Sequence, residues 1–237
     1  MDLKEVGQLG SDEGSHWYYA SKALALQRCF DGREPQRILD VGAGSGFFSK
    51  MLLRRTSARS AVCVDPGYAT DWSETQFGKP IAFRRHGGAE DADVVLLMDV
   101  IEHVDDDVAL IRGYAASARP GTRFIVSVPA FSWMWSPHDD FLEHRRRYTL
   151  GQARQALSSA GLTPVSGFYF FAALFPAIAA LRLLRRAGPS TAPAGSDLRK
   201  HHPLTNRLLA SVCTAESLVA RHNRWFGLTA FAVAKKS

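Results

Sequence analysis

The sequence predicts an α/β fold, a mostly parallel sheet with helices on both faces, and three observations predict it. An apolar strand (Ile38, Leu39, Val41) runs into the turn GAGSG, after which Phe47, Phe48, Met51 and Leu52 resume at helical spacing. Further short apolar runs end on acids: AVCVD on Asp65, and Val94 to Met98 on Asp99. A helical stretch from about Asp107 to Ala118 then precedes another strand, Thr122 to Val128. Short apolar runs alternating with helical segments are the pattern of βαβ units.

The turn is the most informative element. Gly42, Gly44 and Gly46 alternate with small residues, and a turn this tight needs backbone that takes positive φ and lets a ligand approach closely. Strand, glycine turn and helix together bind a nucleotide-like ligand at a helix N-terminus. The spacing is GxGxG, one residue short of the dinucleotide GxGxxG, and Asp40 stands just before it. Asp65, at the tip of the next strand, can accept both hydroxyls of a ribose. A strand over Pro80 to Arg84 follows. Beyond Val94 to Met98 come Asp99, Glu102 and His103; Glu102 and Asp105 to Asp107 favour the start of a helix through its dipole, which accounts for most of that acidity.

On these residues the chain resembles the class I S-adenosylmethionine (SAM)-dependent methyltransferases. LDVGAGSG looks like their cofactor loop, VDPGY like their ribose-binding strand end, and LLMDVIEHV like their fourth strand with its EHV signature. HRRRYT, followed by a helix and AGL, resembles a bacterial small-molecule subgroup. The resemblance implies a Rossmann-like seven-stranded sheet with an antiparallel last strand and SAM as cofactor. It places Gly42, Ala43, Gly44 and Gly46 along the cofactor, with Asp40 bracing the loop and Asp65 on the ribose. Gly88 and Ala89 would border the adenine, Asp99 and Val100 the methionine moiety. Lys22 falls where an arginine often contacts the methionine carboxylate; the charge is kept and the bidentate fork is lost.

Composition agrees with one methyltransferase domain over 1–237: the chain is 46% hydrophobic, enough for a single core. The polar opening MDLKEVGQLGSDEG has no apolar core of a cleavable signal. Its 3 cysteines, Cys29, Cys63 and Cys213, lack CxxC spacing and read as reduced, buried thiols of a cytoplasmic protein, with no zinc or other metal. The formal net charge of +6 calls for an account of where the cations lie.

Three segments depart from a minimal domain. Residues 1–36 read as an N-terminal helical lid, helical from about His16 to Phe30, with Trp17, Tyr18 and Tyr19 either closing over the cofactor or packing the helix down. Residues 37–128 form the cofactor core. Residues 129–149 then carry Phe131, Trp133, Met134, Trp135 and Phe141, aromatic area that suits an acceptor pocket. Trp133, Trp135, Asp139 and Tyr148 are the substrate-side candidates, and His138, His144 and His103 the candidate bases, because histidine titrates near neutral pH. Arg145 to Arg147 and Tyr148 also suit a structural ion-pair cluster at a helix entry. Strands at Thr163 to Tyr169 and Leu228 to Ala234 enclose a helical insertion, 171–226, in which FFAALFPAIAALRLLRR is followed by a Pro/Gly/Ser/Ala-rich link. Pro164, Gly167 and Pro176 interrupt the apolar stretch, and about Phe170 to Arg186 is short for a ~20-residue span. With Arg182, Arg185, Arg186, Arg199, Lys200, Arg207, Arg221 and Arg224 nearby, the segment suits a peripheral anchor on an anionic leaflet, a pocket cap or a homodimer interface.

The expected activity is therefore methyl transfer from SAM to a small or lipid-linked acceptor, with O-methylation preferred. A nicotinamide dehydrogenase should carry GxGxxG. Enzymes that methylate base amino groups carry an Asn- or Asp-Pro-Pro-aromatic stretch where this chain reads DVIE, so no nucleic-acid partner is expected despite the basic charge. The alternatives that stay open are a non-catalytic SAM-binding partner or scaffold and a nucleic-acid or protein methyltransferase.

Overall fold

Residues 16–187 and 202–237 are described by the structure, a computed structural model. Among them, β1 (Arg37–Val41), β2 (Ser60–Val64), β3 (Trp72–Gln76), β4 (Lys79–Arg84), β5 (Val94–Met98), β6 (Arg123–Pro129), β7 (Leu162–Phe170) and β8 (Thr229–Lys236) form one sheet in the order β3-β4-β2-β1-β5-β6-β8-β7. The pairs β1–β2, β1–β5, β2–β4 and β5–β6 are parallel, and β8 runs antiparallel between β6 and β7. Winding from β1 proceeds toward β4 on one side and from β5 toward β6 on the other. A crevice therefore opens at the carboxyl ends of β1 and β5, where doubly wound sheets bind ligands.

The sheet has eight strands where seven were expected, and the extra one is β3, an antiparallel edge strand paired with β4. Its sequence, WSETQ, is mostly polar because an edge strand faces water. Its turn, Phe77-Gly78, holds both residues at positive φ without the Asn-Gly pair that marks such hairpins. Trp72 stacks on Phe83 with centroids 4.2 Å apart and fixes the hairpin to the sheet.

Helices α1 (Trp17–Arg28), α2 (Phe47–Arg55), α3 (Asp107–Ser117), α4 (Pro137–Phe141), α5 (Leu150–Ser159), α6 (Phe175–Ala187) and α7 (Pro203–Val219) complete the described fold. All five residues of β5 are buried, because both faces of the sheet are covered. Leu96 and Met98 join Phe48, Leu52 and Phe231 on one face; Val95 and Leu97 join Ile111, Val126 and Leu157 on the other. Asp106 caps α3, accepting from the Ala109 amide, and Thr149 with Gln152 forms a capping box on α5. Glu102 does not serve the start of α3: it lies in a separate 3-10 turn, Ile101–His103, and is fully buried.

Cys29, Cys63 and Cys213 are free and buried. The insertion contributes α6 and α7, and α7 packs against α1. No helix of the described residues is long and apolar enough to cross a membrane. The first fifteen residues of the expected lid, and the link that carries Arg199 and Lys200, lie outside the described residues.

Candidate active site

The glycine turn leaves β1 with Gly42 at φ 63°, Gly44 at 54° and Gly46 at 71°. Gly42 donates to the Val64 carbonyl at 2.7 Å, closing the turn onto β2. A Cβ on Gly42 would stand 2.7 Å from Val100 Cγ2, so both its φ and the approach of the Val100 side chain beyond β5 favour glycine. Asp40, buried under the turn, accepts from Ser49 Oγ at 2.9 Å and ties the loop to α2. Burial pushes the Asp40 carboxyl up to about 6. Asp65 accepts from the amides of Gly44 at 3.0 Å and Gly67 at 2.9 Å, and so shapes the loop from the tip of β2. Ala89 is buried, with its amide on Ser117 Oγ, and Gly88 precedes it on the same loop.

At the end of β5, Asp99 takes φ 55° and pairs with the buried ammonium of Lys22, while Ser127 Oγ donates to its other oxygen at 3.2 Å. Burial opposes both charges, yet their mutual attraction outweighs it, lifting Lys22 and lowering Asp99 relative to their ordinary ranges. Tyr18 lies 3.4 Å from Lys22 Nζ through its hydroxyl. The crevice thus gathers the glycine turn, Asp65, Val100 and Asp99 along one edge, while the Lys22 ammonium is fully buried behind Asp99 and does not line the cavity.

Beside this edge lies a cavity of about 310 Å³. Its walls include Trp17, Tyr18 and Tyr19 from α1; Asp99, Glu102 and His103 beyond β5; His138, His144 and Arg147; and Ile178, Leu181, Arg182 and Arg185 from α6. Its lining mixes apolar and aromatic side chains with a few charged and polar ones, as small-molecule sites do. All three histidines proposed from sequence line it. His144 Nδ1 is 2.9 Å from Asp139 Oδ1, and Asp139 also accepts from Arg147 Nε at 2.6 Å, Arg147 Nη2 at 2.9 Å and the Ser136 amide at 2.8 Å. Burial disfavours the Asp139 charge, but the hydrogen bonds from His144 and Arg147, with the Arg147 charge, hold the carboxyl well below the usual carboxylate range. An ionised acceptor assigns the proton to Nδ1 and leaves Nε2 of His144 as the basic nitrogen. His103 lies across from it, the ring centroids 4.8 Å apart.

The substrate-side candidates fall elsewhere. Trp133, Trp135, Asp139 and Tyr148 do not line the cavity. Trp133 meets Phe131 and Phe175 edge-on or tilted at the start of α6, and Trp135 Nε1 donates to Asp140. Tyr148 is buried and donates to Asp107 Oδ2 at 2.7 Å, because the chain entering α5 must run under the 3-10 turn. Arg145 pairs with Asp105, Arg146 donates to the Val104 and Asp105 carbonyls, and Arg147 holds Asp139. HRRRYT is thus a cluster that docks the 3-10 turn onto the loop.

Glu102, which the sequence pattern sets among the acids of a helix start, lines the cavity instead. It is 0% exposed, and among the described residues neither carboxylate oxygen is paired with another residue. Burial and then the Asp99 charge push its carboxyl well above the usual range. Glu102, His103 and His144 each offer a ligand atom, all within 4.8 Å of one another, so the cluster could hold a cation. Nothing local marks Glu102; its isolation depends on the 3-10 turn carrying it beneath the cavity.

Among relatives, the ubiquinone biosynthesis O-methyltransferase of Aeromonas salmonicida is 29% identical over 101 residues, 39% of this chain and 42% of that protein. The tRNA1(Val) (adenine(37)-N6)-methyltransferase of Erwinia tasmaniensis is 31% identical over 158 residues, 64% of this chain and 56% of that protein. Both matches span less than two thirds of the relative's length. Among solved structures, the phospholethanolamine N-methyltransferase 2 of Haemonchus contortus, in complex with phosphomonomethylethanolamine and S-adenosylhomocysteine, superposes with TM-score 0.53 at 14% identity, covering 100% of this chain and 61% of that one. The [4+2]-cyclase SpnF superposes with TM-score 0.55 at 15% identity, covering 92% and 82%. These likenesses are of fold. A family model described as a methyltransferase domain matches residues 15–166, most of the chain and all of the crevice built above, and the chain belongs to that methyltransferase family.

Proposed function

We propose that the chain uses SAM to methylate a hydroxyl of a small or lipid-linked acceptor, with His144 as general base. The observation that carries this reading is the Asp139–His144 pair at 2.9 Å on the cavity wall, anchored by Arg147. SAM, when bound, supplies a methyl already activated on a sulfonium, which leaves positioning and proton removal to the chain. Gly42, Ala43 and Gly44 would hold the methionine end and Asp65 the ribose, with the buried Lys22–Asp99 pair fixing the end of β5 beside them. His144 Nε2 would take the hydroxyl proton, while Asp139 fixes the ring's tautomer and offsets the imidazolium charge. The tight pairing of Asp139 with Arg147 keeps that carboxylate ionised across neutral pH.

Calorimetry and product mass test the assignment. SAM should bind in the wild type, and Asp65→Ala should weaken it by about 1.5–3 kcal/mol, the scale of hydrogen bonds to a charged group. His144→Ala should lower turnover ~10²–10⁴-fold with SAM affinity kept. Near-normal turnover in His144→Ala would transfer the role to His138, His103 or water.

One observation favours a second reading, in which Glu102, His103 and His144 would hold a divalent cation that would supply Lewis-acid activation of the acceptor hydroxyl. Turnover that disappears on chelation and returns with Mg²⁺ or Mn²⁺ would select it; turnover indifferent to chelation would discard it.

A further inference from the structure

Two helices of the insertion bury one side and leave the other unusually apolar. α6 forms a cavity wall through Ile178 and Arg182, yet Leu183 and Leu184 face outward, Leu184 being 72% exposed. α7 buries Cys213 and Ser217, and the Trp17 amide at the cavity's edge donates to Asn206 Oδ1 at 2.9 Å. Its outward stripe follows helical spacing: Leu204 is 68% exposed, Leu208 65% and Val219 63%. In the turn before β8, Trp225 is 80% exposed and its neighbour Phe226 meets Phe175 of α6 at 5.4 Å. Isolated exposed leucines are ordinary, but an apolar stripe on α7, exposed leucines on α6 and an exposed tryptophan whose neighbour meets α6 mark an interaction surface.

Charge identifies the occupant. Arg185, Arg207 and Arg224 are exposed among these side chains. Over described residues 175–187 and 202–227 the acidic side chain is Glu216, and it is turned inward onto the Ala172 and Ala173 amides at 2.7 and 3.1 Å. A second copy docked on this face about a twofold axis would set arginines against arginines. An anionic lipid surface takes both components: headgroups meet the arginines while leucines and Trp225 enter the acyl boundary.

We infer that α6, α7 and the Trp225 turn seat the protein on an anionic membrane surface, with the cavity opening beside the lipid. The seat itself needs no methyltransferase activity. Resting on the reading of the cavity as an acceptor site, it adds a substrate class: an acceptor with a lipophilic tail, presented from the bilayer past α6.

The test is co-sedimentation of the full chain with phosphatidylcholine vesicles and with phosphatidylcholine–phosphatidylglycerol vesicles, at low and high salt. Pelleting should occur with the anionic vesicles and decline as salt rises. Arg207→Gln with Arg224→Gln, two cations worth ~1 kcal/mol each at such a surface, should lower partitioning roughly thirtyfold. Leu204→Gln with Leu208→Gln should also release the protein, with circular dichroism and SAM calorimetry showing each variant folded. Absence of pelleting at low salt, equal pelleting with neutral vesicles, or concentration-dependent dimerisation that Leu208→Gln abolishes while lipid has no effect would each overturn the proposal. Loss of SAM binding in a protein that still pellets would instead count against the methyltransferase reading alone.

Discussion

Asp139→Asn is the sharpest test of the buried cluster behind the cavity. The carboxylate accepts from Arg147 Nε and Nη2, His144 Nδ1, the Ser136 amide and, at 3.2 Å, Ser136 Oγ, while both Asp139 and Arg147 are buried. Asparagine keeps the shape but removes the charge and turns one acceptor oxygen into a donor facing donors. Arg147 keeps its bond to the Ala130 carbonyl and loses its counter-ion. Removing one partner of a buried pair costs about 3–5 kcal/mol, a large part of the ~5–15 kcal/mol that holds a domain folded. Urea unfolding followed by circular dichroism at neutral pH measures it. Because the folded carboxyl is depressed, its contribution is fully present above the unfolded pKa of ~3.9 and is lost only as pH falls toward the folded value. The penalty should therefore be constant from about pH 5 to 8. Adding Arg147→Met, which removes the stranded cation, should recover part of it, with a coupling of about 1–3 kcal/mol in a double-mutant cycle. A penalty below ~1 kcal/mol, or one without coupling to Arg147, would refute the reasoning.

Gly42→Ala should lower the thermal midpoint and weaken SAM binding, since it costs ~1–2 kcal/mol for left-handed backbone and ~1–3 kcal/mol for the clash with Val100. Val100→Ala added to it should relieve the clash and leave the backbone cost; a neutral single variant would remove the close approach from the account. Asp40, raised to about 6, stabilises the fold in its protonated form, fully below the unfolded pKa of ~3.9, and that stability is lost as pH rises through about 6. Chemical unfolding should thus show a decline of about 2–3 kcal/mol between pH 4 and 7 that Asp40→Asn abolishes; an unchanged slope in the variant would assign the titration to another group such as Glu102.

Much of the cofactor side was legible because its signals are local. Three glycines, an apolar strand and a helix are contiguous in the chain, and the acids that follow β2 and β5 stand at strand ends that periodicity alone locates. The edge strand β3 was not legible: WSETQ is polar on a solvated edge, and Phe77-Gly78 carries half of the expected turn chemistry. On the acceptor side, residue type was informative and role was not. His138, His144 and His103 do line one cavity, whereas Asp139 and Tyr148, read as substrate contacts, turn inward to support them.

By itself, then, the sequence determined the strand order's local units, the glycine turn with Asp40 and Asp65, and the apolar, basic character of the insertion, because each depends on neighbours within a few residues. Only tertiary structure decided that Lys22 meets Asp99, that Arg147 holds Asp139 against His144, that Glu102 lies buried beside Asp99, and that the leucines of α6 and α7 face outward. The physical reason is that the partner and burial of a polar or apolar side chain are set by segments distant in sequence, and these are brought together only when the sheet closes.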